Sequence, residues 1–246
     1  ISLSLAEIAP ALSAKLQGAD LTFSGVSTDS RQINAGDLFI ALKGPNFDGH
    51  QFAADVIAKG AVALIVEQQL DLAVPQIIVA DTRLALGALG AAVKQKVNPK
   101  SVAVTGSVGK TTVKEMMAAI LDRIGNVLAT AGNFNNDIGA PLTLLRLTEQ
   151  HQYAVMELGA NHLGEIAYTS SLVKPEVSMI TNVAAAHLEG FGDLFGVARA
   201  KGEIYSSLGA DGVAIVPLDS EFSDYWLKRL QDKTVLTFSS THRCFF

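Results

Sequence analysis

The sequence predicts an α/β protein of two domains, the second built on a doubly wound, mostly parallel sheet. Three observations carry that reading. Short apolar runs recur along the chain, separated by stretches with helical spacing, as expected for strands buried on both faces by crossover helices. A glycine-containing turn stands between one such run and a helix. Asn98-Pro99 then interrupts a helical pattern, because proline disfavours helical geometry in the residue before it. The domain boundary is placed there, giving 1–98 and 99–246.

Ser4 with Glu7 three residues on matches a capping box, and Leu5, Ile8, Ala9 and Leu12 follow at helical spacing, so a short amphipathic helix starts the chain. Apolar runs at 37–42 and 61–66 read as strands. Between them lie the turn-rich KGPNFDG and a helical stretch at 51–59. A strand at 76–79 and a helix at 84–96 complete the first domain. Beyond the boundary, SVAVTG is a strand, 110–124 a helix and NVLAT a strand. QYAVMEL, EVSMITN, GVAIVP and TVLTF are further strands, with helices between several of them. Ligands of such a sheet bind at the carboxyl ends of the strands.

Composition bounds the function. The chain has 246 residues, 49% hydrophobic and 17% charged, enough apolar content for a real core and unlike a disordered chain. No run of about 18 apolar residues occurs, and no basic segment precedes a hydrophobic run at the N-terminus. The expectation is a protein neither exported nor inserted in a membrane. A single cysteine, Cys244, excludes a disulfide framework and fits a reducing, cytoplasmic setting. A net charge of −5 without a block of Lys or Arg provides no footprint for nucleic acid.

Gly106-Ser107-Val108-Gly109-Lys110-Thr111-Thr112 follows an apolar strand and opens a helix with apolar residues at Val113, Met116, Met117, Ile120 and Ile124. That is the context of a phosphate loop (P-loop). Small residues let backbone N–H groups approach phosphate oxygens, and the helix N-terminus adds positive potential. Lys110 reaches the outer phosphates, and Thr111 offers a hydroxyl to Mg2+. The parts suit ATP. The general pattern GxxxxGK[ST] would place glycine at Val104, so only its second half is present; a plain glycine-rich turn with an exposed lysine is the competing reading.

Glu157 ends the apolar strand of QYAVMEL, where a carboxylate faces the ligand region and suits Mg2+, although a solvated or capping acid would look the same. His187 follows the strand EVSMITN in the otherwise apolar AAAHLEGFG, which is compatible with a metal ligand or a hydrogen-bonded core histidine. Lys201 lies on a stripe with Leu194, Val197, Ile204 and Leu208, spaced as one helix face. Its stem could pack while its amine reaches water. Alternatively, burial lowers its pKa: an ordinary lysine, pKa about 10.4, is about 0.1% neutral at pH 7.4, whereas a drop of ~3 units makes about half neutral. A neutral amine adds carbon dioxide, and the carbamate is an oxygen donor for Mg2+.

Taken together, TGSVGKTT, TAGNFNNDIG, MELGANHLGEI, TNVAAAHLEGFG and AKGEIY resemble the Mur ligase family, with the likeness running from the first helix to about residue 216. Within the family these segments are similar to the member that adds D-alanyl-D-alanine rather than to those adding single amino acids. The resemblance implies an N-terminal α/β domain (1–98) for the UDP-linked substrate and a central P-loop ATP-binding domain (99–246). It implies an ATP- and Mg2+-dependent ligase of cell-wall precursor synthesis. ATP phosphorylates the terminal carboxylate of UDP-N-acetylmuramoyl-tripeptide, and the amine of D-alanyl-D-alanine attacks the acyl phosphate, releasing ADP and phosphate.

By the same resemblance the residues Gly106 to Thr112 bind ATP, with Lys110, His187 and Lys201 catalytic. Thr111, Glu157, His187 and carbamylated Lys201 hold metal. Asn133, Asn135 and Asn136 would meet the substrate's diphosphate and sugar, although Asn and Gly also simply favour turns. Ser30 and Arg31 of STDSR, with Asn46 and Phe47 of KGPNFDG, resemble loops that hold a uridine nucleotide. A monomer is expected. A folylpolyglutamate-synthase-like ligase shares the phosphate loop and lysine but fits GNFNNDIG and AAAHLEGFG poorly; a noncatalytic nucleotide-binding module is the other class. Few residues follow GVAIVP, and the tail FSSTHRCFF departs from the family, so the expectation is that a C-terminal ligase domain is absent and that the chain binds ligands without turnover.

Overall fold

The computed structural model describes residues 3–185 and 188–241. The chain divides into two compact units, Ile1–Gln95 and Lys96–Phe246, and both are α/β.

In the first unit, β1 (Leu3–Ser4) runs into α1 (Leu5–Ile8), which Ser4 and Glu7 close reciprocally: the Ser4 hydroxyl accepts from the Glu7 N–H at 3.3 Å, and the Glu7 carboxylate accepts from the Ser4 N–H at 2.7 Å. The helix is short because Pro10 has no N–H with which to continue the ladder. There follow β2 (Lys15–Gln17), β3 (Thr22–Phe23), β4 (Gly25–Ser27), β5 (Asp37–Ile40), the hairpin β6 (Lys43–Gly44) and β7 (Phe47–Asp48), α2 (Ala53–Ala58), β8 (Ala63–Val66), β9 (Gln76–Ile78) and α3 (Thr82–Val97). A five-stranded sheet has the order β2-β9-β8-β5-β4, parallel except for the antiparallel edge strand β2. β5 and β8 are buried along their whole length, which is why they read as unbroken apolar runs. The strands β2 to β4 are two or three residues long, too short for a sequence pattern to mark them.

The second unit contains β10 (Lys100–Thr105), α4 (Lys110–Leu121), β11 (Val127–Ala129), α5 (Gly139–Leu144), β12 (Tyr153–Glu157), α6 (Glu165–Val173), β13 (Val177–Ile180), α7 (Leu188–Phe191), α8 (Leu194–Gly202), β14 (Val213–Pro217), α9 (Ser223–Leu227) and β15 (Thr234–Phe238). Its six strands are all parallel in the order β11-β12-β10-β13-β14-β15. Chain order reverses on either side of β10, so a crevice opens at the carboxyl end of that strand. Among the described residues no helix is long and apolar enough to cross a membrane.

α4 departs from expectation. It ends at Leu121 rather than at residue 124, and Met116, Ile120 and Ile124 are exposed. Its buried residue is Lys114, 1% accessible, whose Nζ donates to the Thr130 carbonyl at 2.7 Å and to the Glu115 carboxylate at 2.6 Å. The face turned to the sheet thus includes a long stem with a satisfied ammonium, and of the apolar positions marked by the spacing Val113 and Met117 are half-buried while the other three face solvent.

Candidate functional site

The parallel register brings three strand ends together. Val104 pairs with Glu157 and Thr105 with Ile180, so the turn after β10, the carboxylate at the end of β12 and the segment after β13 share one edge. Val104, where a complete phosphate-loop pattern would have glycine, is a fully buried strand residue.

The turn itself is shaped by two glycines. At Gly109 φ is 82°, a left-handed conformation that glycine adopts without strain, and it delivers the chain into α4. At Gly106 φ is 155°, which already favours glycine, and space adds a second constraint: a Cβ there would lie 1.8 Å from Thr181 Oγ1. The N–H groups at the start of α4 have no intrahelical acceptor, and the helix dipole adds positive potential. Lys110 Nζ rests on the Gly106 carbonyl at 2.9 Å.

Glu157 is 2% accessible and doubly held. Thr111 Oγ1 donates to one carboxylate oxygen at 2.8 Å, and Asn135 Nδ2 donates to the other, also at 2.8 Å. Its own N–H donates to Thr130 Oγ1 at 3.0 Å. A hydroxyl and a carboxylate on adjacent elements form an oxygen pair of the kind a hard divalent cation takes. Among the described residues no three His, Cys, Asp or Glu side chains gather as a metal cluster. His187 lies outside the described residues.

Lys110 and Lys201 line the same polar cleft, about 190 Å³, together with Asn135, Asn136 and Glu165. Lys201 is 3% accessible on α8, with Nζ 5.9 Å from the centre of the Phe191 ring. Its amine is pushed down to about 8, first by burial and then by the positive charge of Lys110, with Glu165 opposing. The Glu165 carboxyl sits below its usual range: burial works to raise it, and the N–H groups of Asn161 and His162 with the His162 ring outweigh that. Glu203, in AKGEIY, accepts from the Gly164 and Ala167 N–H groups at 2.7 and 3.0 Å and so ties the turn after α8 to the start of α6.

The asparagine loop is divided in use. Asn133 is exposed and outside the cleft lining, Asn135 is fixed on Glu157, and Asn136 Oδ1 accepts from the Ile138 and Gly139 N–H groups, capping α5. In the first unit, Arg31 is exposed and forms a two-pronged pair with Asp29 at 2.9 and 2.7 Å, holding the Asp29 carboxyl down at about 2. The Ser30 carbonyl accepts from Lys59 Nζ at 2.8 Å. Asn46 is exposed in the turn of the β6–β7 hairpin, and Phe47 is 54% accessible beside it. Sequence reasoning missed Asn135 as the orienter of Glu157, and it missed Glu165, Lys114 and Asn182. The last lies just beyond β13, and its side chain bonds Val108 in the turn between β10 and α4.

Comparison with known proteins places these features in context. A family model described as Mur ligase middle domain matches residues 104–243, and one described as Mur ligase family, catalytic domain, matches residues 22–124. The UDP-N-acetylmuramoyl-tripeptide--D-alanyl-D-alanine ligase of Escherichia coli K12 is 55% identical over 239 residues, 97% of this chain and 53% of that protein. That of Haemophilus influenzae is 50% identical over 245 residues. A crystal structure of MurF from Acinetobacter baumannii superposes with a TM-score of 0.94 at 44% identity, covering 98% of this chain and 54% of that one. MurF ligase from Thermotoga maritima, solved in complex with ADP, superposes at 0.79 with 30% identity over 89% of this chain and 51% of its own. The chain spans about half the length of the curated relatives it matches.

Proposed function

The chain belongs to the Mur ligase family, and on that premise we propose that it is the nucleotide-binding part of an ATP-dependent ligase joining D-alanyl-D-alanine to UDP-N-acetylmuramoyl-tripeptide. The observation that carries this reading is one cleft into which a phosphate loop and two lysines project, beside a buried carboxylate bonded to the loop's threonine.

In this reading the N–H groups at the start of α4 receive phosphate oxygens, and Lys110 turns from the Gly106 carbonyl to the outer phosphates. Thr111 and Glu157, with His187, are the residues that would hold Mg2+. Bound Mg2+ would neutralise charge so that ATP and the muramoyl-peptide carboxylate approach each other. Lys201, half neutral near pH 8, attacks carbon dioxide through its nitrogen lone pair and releases a proton, and the carbamate would offer a further oxygen ligand to that metal. Asn135 keeps Glu157 oriented. Asn133 and Asn136 offer amides to the substrate's diphosphate and sugar, and Ser30, Arg31, Asn46 and Phe47 form the uridine loops of the N-terminal domain, residues 1–98. The protein acts as a cytoplasmic monomer.

Titration calorimetry tests this directly. Mg2+–ADP and UDP-N-acetylmuramoyl-tripeptide should each bind once per chain. Lys110→Ala should weaken the nucleotide by about 10- to 100-fold, the worth of a charge-assisted hydrogen bond, and leave the UDP ligand unaffected. Equal nucleotide affinity in wild type and variant, or binding of neither ligand, defeats the reading.

A further inference from the structure

The loop between β10 and α4 is fastened by the segment that follows β13. Asn182 Oδ1 accepts the Val108 N–H at 2.9 Å, and Asn182 Nδ2 donates to the Val108 carbonyl, also at 2.9 Å. Thr181 Oγ1 donates to that same carbonyl at 2.8 Å. The Ser107 N–H donates to the Asn182 carbonyl at 3.1 Å, the Ser107 hydroxyl donates to the Ala184 carbonyl at 3.1 Å, and the Ala184 N–H donates back to that hydroxyl at 3.0 Å. A single amide side chain thus reads both the donor and the acceptor of one loop residue, as a neighbouring strand would.

This arrangement gives physical meaning to the half-complete motif. Where glycine would begin a full phosphate loop, Val104 is still strand, and the first part of the turn is too short to hold itself. Its N–H groups at Ser107 and Val108 point at Asn182 instead of at the ligand region. The groups remaining for an anion are those from Gly109 to Thr112.

We propose that Asn182 is a positioning residue of the nucleotide site, clamping Val108 so that the phosphate cradle is restricted to the N–H groups of Gly109 to Thr112 and is preformed before nucleotide arrives. The proposal rests on the nucleotide-binding reading above. Asn182 touches no reacting atom; it acts through the loop. Because Val108 is exposed, its N–H passes to water when the clamp is removed while its carbonyl keeps the Thr181 hydroxyl, and the fold loses little. The cost falls on ligand binding, which must then order the loop.

The test is an amide-resolved NMR titration of the full chain with Mg2+–ADP. In the ligand-free wild type the Ser107 and Val108 amides exchange slowly with solvent; in Asn182→Ala the Val108 amide, whose acceptor is the lost side chain, exchanges at least about tenfold faster, while Ser107 keeps the backbone carbonyl of residue 182 as its acceptor. Nucleotide moves the resonances of Gly109 to Thr112 and leaves those of Ser107 and Val108 nearly in place. Asn182→Ala weakens Mg2+–ADP about tenfold, while its melting midpoint stays within about 3 °C of wild type. Asn182→Asp keeps the acceptor for Val108 N–H but sets a carboxylate oxygen against the Val108 carbonyl, and it weakens binding further. Wild-type affinity in Asn182→Ala, or fast exchange at Val108 in the wild type, overturns the clamp. Lys110→Ala binding as wild type removes instead the nucleotide reading on which the clamp depends.

Discussion

Gly106→Ala should abolish measurable Mg2+–nucleotide binding and lower stability by about 1–3 kcal/mol, the usual cost of forcing extra volume into a packed site. The new Cβ would lie 1.8 Å from Thr181 Oγ1 and 3.3 Å from the Asn182 nitrogen, so the loop and the segment after β13 must separate. The group pushed aside is one that holds the Val108 carbonyl. Gly109→Ala is the informative contrast: both glycines have positive φ, but nothing lies within 4 Å of a Cβ at Gly109, so its penalty is the backbone strain of φ 82° alone, roughly 1 kcal/mol. Thr181→Ala in the Gly106→Ala background removes the closest atom and should recover part of the lost stability. Urea unfolding of the two single variants and the double variant measures that coupling, and additive losses would sink the steric explanation. Retained ADP binding by Gly106→Ala in calorimetry would show that the close approach does not matter to the ligand.

The second unit was largely legible because its central strands β10 and β12 are largely buried and appear as apolar runs, and most of its strands are followed by a helix after a turn. Lys201 was legible as an anomaly in a helical stripe, and its neighbours Val197 and Ile204 are fully buried with it. Asn182 was not, because its partners lie 74 positions away and nothing in TNVAAAH distinguishes a clamp from a turn. Lys114 was hidden for a different reason. Position 114 lies off the apolar spacing of this helix, and only the placement of β11 supplies the Thr130 carbonyl that makes a buried ammonium tolerable. β2, β3 and β4 are two or three residues long, too short for any periodicity to register.

Lys201→Met should stabilise the ligand-free chain at pH 7, by up to about 3 kcal/mol, because the wild-type protein buries an ammonium there. The sign follows from the direction of the shift. The amine is at about 8 in the folded chain and near 10.5 when unfolded, so below pH 8 both states carry the proton and the folded state bears the whole cost of burial. Between pH 8 and 10.5 the unfolded chain binds more protons than the folded one, and wild-type stability rises toward that of the variant. Above 10.5 both states are neutral and the ammonium's part of the difference vanishes. Carbon dioxide adds only to the neutral amine, so bicarbonate should raise the wild-type melting midpoint, more at pH 8.5 than at pH 7, and leave Lys201→Met unmoved. Carbon-13 bicarbonate should produce a carbamate resonance in the wild type alone, growing over the same pH range. A stability difference that does not change between pH 7 and 10.5 would mean that Lys201 reaches water in solution, and the carbamate assignment would fall with it.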